Sequence, residues 1–323
     1  MPVRTNLWPA FISRENFSLA AYRALRKKVK TSELLAFIDH KEELTERARQ
    51  LVISGRFRSA KYTHKIIHEP KTREIAILPF WPDRLIHHAF MNILAPIWDG
   101  MFIRDSYACR PGYGLHAASR RCMQFVRRNK YFLQFDIRKF YPTIDTDILM
   151  SIIRRKIKDE RLLRVVRDVI FSYDGTGIPI GNYCSQWFGN LYLNELDSFV
   201  KQRLRVADYI RYCDDFILFS SDKRQLGRWK IAVMDFVRGR LGQNFSLAEI
   251  APVSGGVDFL GYRHFPHRIL MRRTSLIRMR RMLRRIAKMP RFVWTRSTLI
   301  RGRIAAIRGW MAHANCKSIF PGL

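Results

Sequence analysis

A chain of 323 residues with 47% hydrophobic content has enough apolar material for one large core or two ordinary ones, which excludes disorder throughout. Lys and Arg number 59 against 27 Asp and Glu, so the formal net charge is +32 at pH 7, and that balance calls for a polyanionic partner, nucleic acid ahead of an anionic membrane surface. The five cysteines (Cys109, Cys122, Cys184, Cys213 and Cys316) are odd in number and contain no C-x-x-C pair, which argues against a disulfide framework and a zinc ribbon, and no apolar run approaches the roughly 20 residues of a bilayer span. With no apolar stretch in the opening MPVRTNLWPAF, a cytoplasmic protein with reduced thiols and no membrane partner is expected.

Residues 15 to 53 read as helices, starting near Glu15-Asn16. KIIHEPKTREIAILPF then shortens the period and predicts two strands joined by a turn around Pro70 to Thr72. A helix follows from about Asp83 to Trp98, a loop from Asp105 to Gly114, a helix from His116 to Arg128, and a strand from Tyr131 to Phe135. Another helix starts near Asp145, a loop covers Tyr173 to Gly181, and a helix runs from Gln186 to Val200. YIRYCDDFILFS sets two apolar segments around an acidic pair; a helix then runs to about Leu241, and Val257 to Tyr262 reads as one strand. Beyond Asp258 there is no carboxylate. There Leu276, Met279, Leu283 and Ile286 recur at helical spacing among Arg278, Arg280, Arg281, Arg284, Arg285 and Lys288, which predicts a basic amphipathic helix ended by Pro290. Strands interleaved with helices indicate a mixed α/β (α+β) architecture.

The acids carry the chemistry. Asp214-Asp215 lies between Tyr209–Cys213 and Phe216–Phe219, segments too apolar for an ordinary solvated loop unless the pair tips an exposed hairpin. Asp136 closes a second apolar run, Tyr131–Phe135. Carboxylates at the ends of neighbouring strands repel one another, and cations between them keep them ionised together. Hard oxygen ligands suit Mg²⁺, with Mn²⁺ as an alternative, and two such ions about 4 Å apart clamp the attacking and leaving oxygens of nucleotidyl transfer. On a strongly basic chain this points to a polymerase or a nuclease. His64, His68, His87 and His88 do not form a metal site by spacing, since His64 and His68 fall in a strand-like stretch and no cysteine pair accompanies them.

The ordered series FLQFDIRKFYPTID, GIPIGNYCSQWFGNLYLNELD, RYCDDFILF and VDFLGYRHF resembles the motifs of reverse transcriptases, with Tyr-Cys-Asp-Asp standing for Tyr-X-Asp-Asp. EPKTREIAILPFWPDRLIHHAF and DSYACRPGYGLHAA resemble the fingers motif and the segment after it, so the likeness covers nearly the whole chain. The Ile-Gly-x-x-x-Ser-Gln run, the compact length and the closing GWMAHAN are most similar to enzymes of diversity-generating retroelements, which copy a template RNA into cDNA with errors concentrated at adenines.

The resemblance implies a right-hand polymerase fold with fingers over 1–130, a palm over 131–265 and a short basic helical thumb over 266–323. Asp136, Asp214 and Asp215 would be the catalytic acids and metal ligands. Lys71, Arg73, Tyr141, Ile180, Gly181 and Gln186 would line the dNTP site, with Tyr141 as the steric gate. Phe259, Leu260, Gly261 and Tyr262 would form the primer grip, and Arg278, Arg281, Arg284, Arg285 and Lys288 would bind nucleic acid. Arg84 and Arg110 would hold template backbone or pair with an internal acid. Ile180 departs from the Gln that most reverse transcriptases carry there, which implies looser policing of the base pair and low fidelity. No Lys follows the Tyr-Cys-Asp-Asp hairpin in LGQNFSLAEIAP, so no general acid is assigned to the departing pyrophosphate. Implied partners are template RNA, cDNA, dNTPs and an oligomeric accessory variability protein. A phage-defence or retron-type reverse transcriptase is the alternative within the enzyme class, and a catalytically silent RNA-binding scaffold the alternative outside it.

Overall fold

The computed structural model describes residues 3–26, 31–68, 72–290 and 297–314. The chain divides into two compact units, one built from Met1–Arg104, Asp136–Arg205 and Ala232–Ser246, the other from Asp105–Phe135, Val206–Ile231 and Leu247–Leu323. No described helix is long and apolar enough to cross a membrane.

The first unit is mainly helical: α1 (Trp8–Phe11), α2 (Arg14–Leu25), α3 (Ser32–Asp39), α4 (Lys41–Ile53), α5 (Leu85–Asp99), α7 (Thr146–Lys156), α8 (Glu160–Ile170) and α9 (Ser185–Ser198). Local chemistry explains several of its helix starts. Ser13, Thr31 and Asp145 cap α2, α3 and α7 by accepting backbone N–H bonds, at 3.1, 3.3 and 2.9 Å. Asp159 serves two helices, accepting from Leu162 N at the start of α8 and from Leu7 N and Trp8 N at the start of α1. The core of this unit forms around α2 and α5, where the buried Asn16 amide donates to the carbonyls of Phe11 and Ala89 at 2.7 and 3.0 Å. A two-stranded antiparallel hairpin, β1 (Thr63–Ile67) and β2 (Arg73–Ile77), precedes α5.

The second unit holds α6 (Leu115–Arg128) and two sheets. One has the order β4-β5-β3-β6, from β3 (Tyr131–Ile137), β4 (Tyr209–Tyr212), β5 (Asp215–Ser220) and β6 (Phe245–Pro252); the last two residues of β3 and the first two of β6 are grouped with the first unit. The other is an antiparallel meander, β7 (Val257–Phe259), β8 (Tyr262–Phe265) and β9 (Arg268–Met271). The helix α10 (Lys223–Leu241) follows β5, and α11 (Arg273–Ala287) and α12 (Thr298–His313) follow β9. The apolar face of α6 (Ala118, Cys122, Phe125 and Val126) shares a core with Ile210, Ile217, Phe219 and Phe259.

The expected helix of 83–98 begins later, at Leu85, because Phe80–Arg84 forms a wider π turn with Trp81 extended inside it. The single strand expected over 257–262 is instead two strands, with Leu260 at φ 56° and Gly261 at φ 80° turning the chain between them. The strand β6 was not expected; its burial alternates poorly, with no fully buried residue. The expected turn at Pro70–Thr72 lies largely outside the described residues.

Candidate active site

Tyr212 pairs with Asp215 across the β4–β5 hairpin, so Cys213 and Asp214 form its two-residue turn and Asp215 opens β5. Cys213 takes φ 54°, a left-handed conformation suited to such a turn. Both acids are half-buried, while Phe216–Phe219 directly behind them are buried. Under the turn lies Arg211, fully buried. A buried guanidinium needs acceptors. Arg211 Nη1 donates to the Cys213 carbonyl at 3.1 Å and Nη2 to Ser106 Oγ at 3.0 Å. The Cys213 thiol hydrogen-bonds that of Cys109, and this contact, with burial and the nearby Asp214 charge, pushes its pKa up.

Gln134 in β3 joins the acids to the rest of this unit. Its Nε2 donates to Asp215 Oδ1 at 3.1 Å and to the Asp258 carbonyl at 3.0 Å, using both amide protons. Asp258 in turn receives Arg272 Nε at 2.7 Å. Asp136 is two residues beyond Gln134 on the same strand, and the period of two places it on the same face. Ser246 at the start of β6 donates its hydroxyl to the Asp136 carboxylate. Neither Gln134 nor Ser246 was expected as a site residue. A lone polar residue two positions before an acid, inside an otherwise apolar strand, is the signal that marks Gln134.

In the first unit the loop before α9 joins the other expected substrate residues. The Tyr141 carbonyl accepts from Ile178 N at 3.0 Å, and the Ile180 carbonyl accepts from Ala76 N in β2 at 2.9 Å. Gly177, at φ +70°, lies where a Cβ would meet the Tyr141 carbonyl oxygen at 2.3 Å, and Gly181, at φ +133°, where one would meet the Ala76 carbonyl oxygen at 2.3 Å. Only glycine fits either place. Gly189 of α9 lies against the rings of Phe140 and Tyr141. Tyr141, Ile180 and Gly181 are therefore held on one loop framework with β2, at whose start Arg73 is exposed. Gln186 is exposed in the first turn of α9, and Lys71 lies outside the described residues.

The expected cations divide into two kinds. Arg278, Arg281, Arg284 and Arg285 are exposed on α11 and Lys288 is exposed at its C-cap, while the other face of the helix (Leu276, Met279 and Leu283) packs with Tyr262 and Met271. Arg110 is turned inward: it is buried, donates to the Ser106 carbonyl at 2.8 Å and sits 4.1 Å over the Tyr113 ring, so it braces the loop and is not offered to a phosphate. Of the two roles expected for Arg110, template backbone or an internal partner, this packing fits the internal one. Arg84 is half-buried, its Nε has no partner among the described residues, and burial pushes its pKa down. His64, on β1, hydrogen-bonds Glu74 at 2.9 Å.

Among the described residues no three His, Cys, Asp or Glu side chains are gathered as a ready-made metal cage. Mg²⁺ does not need one, since it binds through one or two carboxylates together with waters and substrate phosphates. The carboxylate oxygens of Asp136, Asp214 and Asp215 are hard donors of the kind it prefers.

Residues 67–264 match the family model described as reverse transcriptase (RNA-dependent DNA polymerase). The chain is 25% identical over 241 residues to protein YkfC of Escherichia coli K12, which covers 60% of this chain and 63% of YkfC. It is 30% identical over 211 residues to the retron Ec73 reverse transcriptase of Escherichia coli, covering 59% and 61% of the two chains. To the group II intron-encoded protein LtrA of Lactococcus lactis it is 30% identical over 141 residues, covering 41% and 23%. It thus spans less than two thirds of each of these relatives. The family match takes in β2, Asp136, the Gly177–Gly181 loop, the Tyr-Cys-Asp-Asp hairpin and the β7–β8 turn, and on that span the chain belongs to the reverse transcriptase family and has its right-hand polymerase fold.

Proposed function

We propose that this protein is an RNA-directed DNA polymerase that copies a template RNA into cDNA with low fidelity at adenines, in the service of a diversity-generating retroelement. The observation that carries the polymerase reading is the Gln134 amide, which ties Asp215 at the hairpin to β3, the strand that also bears Asp136. In this reading Asp136, Asp214 and Asp215 are the catalytic acids. They would hold Mg²⁺ or Mn²⁺, which supplies activation of the primer 3′-hydroxyl and charge neutralisation at the leaving pyrophosphate. Arg73, Lys71 and Gln186 contact the incoming dNTP, Tyr141 closes the space beside its sugar, and Ile180 and Gly181 lie against the new base pair. Phe259–Tyr262 grip the primer, and the exposed cations of α11, with Arg84 as a weaker candidate, hold nucleic acid through its phosphates. The division into fingers, palm and thumb, and an oligomeric accessory partner, follow from the same reading.

Low fidelity is supported by the chemistry of position 180. The Ile180 backbone is held by Ala76 N, so its side chain is presented from a fixed frame, and that side chain has no hydrogen-bonding group with which to penalise a wrong pair. Sequencing of cDNA made by wild type and by Ile180→Gln tests it. Template-adenine substitutions should fall by about fivefold, roughly the effect of one recovered hydrogen bond of about 1 kcal/mol; an unchanged error spectrum removes the role of Ile180. The 30% identity to the retron Ec73 reverse transcriptase favours a retron-type role as the second reading. A nearby pair of repeats that differ at adenines points to the mutagenic element, and a structured RNA gene without such repeats points to the retron.

A further inference from the structure

The helix α12 is joined to the β7–β8 hairpin by two hydrogen-bond relays whose directions follow atom by atom. His264 Nδ1 faces the Val257 carbonyl at 3.2 Å. A carbonyl oxygen only accepts, so this nitrogen carries the proton and His264 Nε2 is a bare acceptor. Ser119 Oγ, 2.7 Å away, therefore donates to it, and His313 Nε2, 2.7 Å from the same oxygen on its other side, donates to Ser119. In the second relay the Tyr262 hydroxyl donates to the Trp310 carbonyl at 3.1 Å, so His116 Nε2, 3.0 Å from that hydroxyl, supplies the proton it accepts. The relays touch where the His116 and His313 rings stack, with centroids 4.5 Å apart and planes 13° apart.

Packing follows the same line. Trp310 stacks on Tyr262 at 5.0 Å and covers Gly261, where a Cβ would meet the indole at 2.8 Å. The turn at 260–261 is thus shaped by a side chain from the helix that ends in the GWMAHAN motif. Ser119 and His264 are buried, and α12 adds Ile307 and Met311 to the core with Tyr262, Met271 and Met279.

We propose that His116, Ser119, His264 and His313 form a latch that seats α12 against the Phe259–Tyr262 turn and so positions the primer end; this rests on the reading of that turn as the primer grip. All four are positioning residues, since none touches a reacting atom. The directions above require His264 to be neutral; His116 and His313 donate through Nε2 in either state, and their stacking disfavours charge on both rings at once. Burial, aided by the neighbouring charges, holds His264 and His313 down at about 4 and lowers His116 as well. The charges acting on them are Arg120, beside both His116 and His313, and the imidazoles on one another. The seated state therefore binds fewer protons than the released one. The latch is at full strength above about pH 6.5 and weakens as pH falls from there toward about 4.

The test uses the full chain with two readouts: hydrogen exchange over residues 298–313, and steady-state extension of a DNA primer on an RNA template. Ser119→Ala, which breaks both bonds of the first relay, and His313→Leu should each raise exchange in α12 by about tenfold. Each should raise the KM for primer–template by about five- to tenfold with kcat within about twofold. His313→Gln keeps an N–H donor near the place of Nε2 without titrating, so it should restore KM and lessen the rise of KM between pH 6.5 and 5, with the remainder due to His264 and His116. A melting curve identifies any variant that fails to fold, and Ser119→Ala, which removes one hydroxyl, keeps the test open if His313→Leu does. Exchange and KM both unchanged in Ser119→Ala and His313→Leu overturn the latch. Exchange that rises while KM stays fixed overturns the positioning role and the primer-grip reading with it. Wild type that never extends a primer defeats the polymerase reading, and then exchange alone decides whether the latch exists.

Discussion

Asp215 depends on Gln134 more than its own surroundings suggest. The Gln134 amide donates to that carboxylate and is itself fixed by the Asp258 carbonyl. A hydrogen bond to a charged group contributes about 1.5–3 kcal/mol, and a carboxylate in the wrong rotamer cannot share an ion with its neighbour. Gln134→Ala should therefore lower kcat for primer extension by about tenfold with primer binding retained. Gln134→Glu, the same shape with a like charge against Asp215, should lower it further. Single-turnover kinetics with saturating primer measure both, and a kcat unchanged in Gln134→Glu refutes the role. Sequence alone carried the acids but not this residue, because its partner carbonyl is 124 positions away. Arg110 shows the converse: an arginine in a glycine-containing loop leaves template backbone and an internal partner equally open in sequence, and only the structure shows its guanidinium on the Ser106 carbonyl.

Among elements, the Gly177–Gly181 loop has the tightest steric constraint. A methyl at Gly177 would sit 2.3 Å from the Tyr141 carbonyl oxygen, and one at Gly181 2.3 Å from that of Ala76, both at positive φ. Gly177→Ala and Gly181→Ala should each cost about 1–3 kcal/mol. The strain falls on the framework that carries Tyr141 and Ile180, so the expected result is a lower Tm together with a raised KM for dNTP. A lower Tm with unchanged KM would separate the loop from substrate. Elements with strong periodicity were legible beforehand: the apolar side of α11 is the one that packs, as the spacing of Leu276, Met279 and Leu283 requires. The strand β6 was not legible, since its residues are mostly half-exposed and do not alternate. The β7–β8 turn was hidden for another reason. Leu260 has no preference for positive φ, and the turn is stabilised by Trp310 from a helix fifty residues further on.

For the molecule as a whole, the proposed function has charge set affinity and the acids set chemistry. A net charge of +32, with the exposed cations of α11 among its sources, should make binding to RNA or an RNA–DNA hybrid fall with the logarithm of salt. Each phosphate contact contributes about 0.7–0.9 to that slope, so Arg281→Ala with Arg285→Ala should flatten it by about 1.4–1.8. Titrations of a hybrid at several salt concentrations measure the slope, and an unchanged value removes α11 from the binding surface. Activity should respond to the acids in a different way: Asp214→Ala keeps the salt slope and loses turnover. RNA-templated extension of a DNA primer with Mg²⁺ and dNTPs, wild type beside Asp214→Ala, reads that directly. The expected result is extension by wild type and a loss of at least about 1000-fold in Asp214→Ala at equal hybrid binding. Extension that survives in Asp214→Ala, or a folded wild type that binds the hybrid and adds no nucleotide with either Mg²⁺ or Mn²⁺, would contradict it.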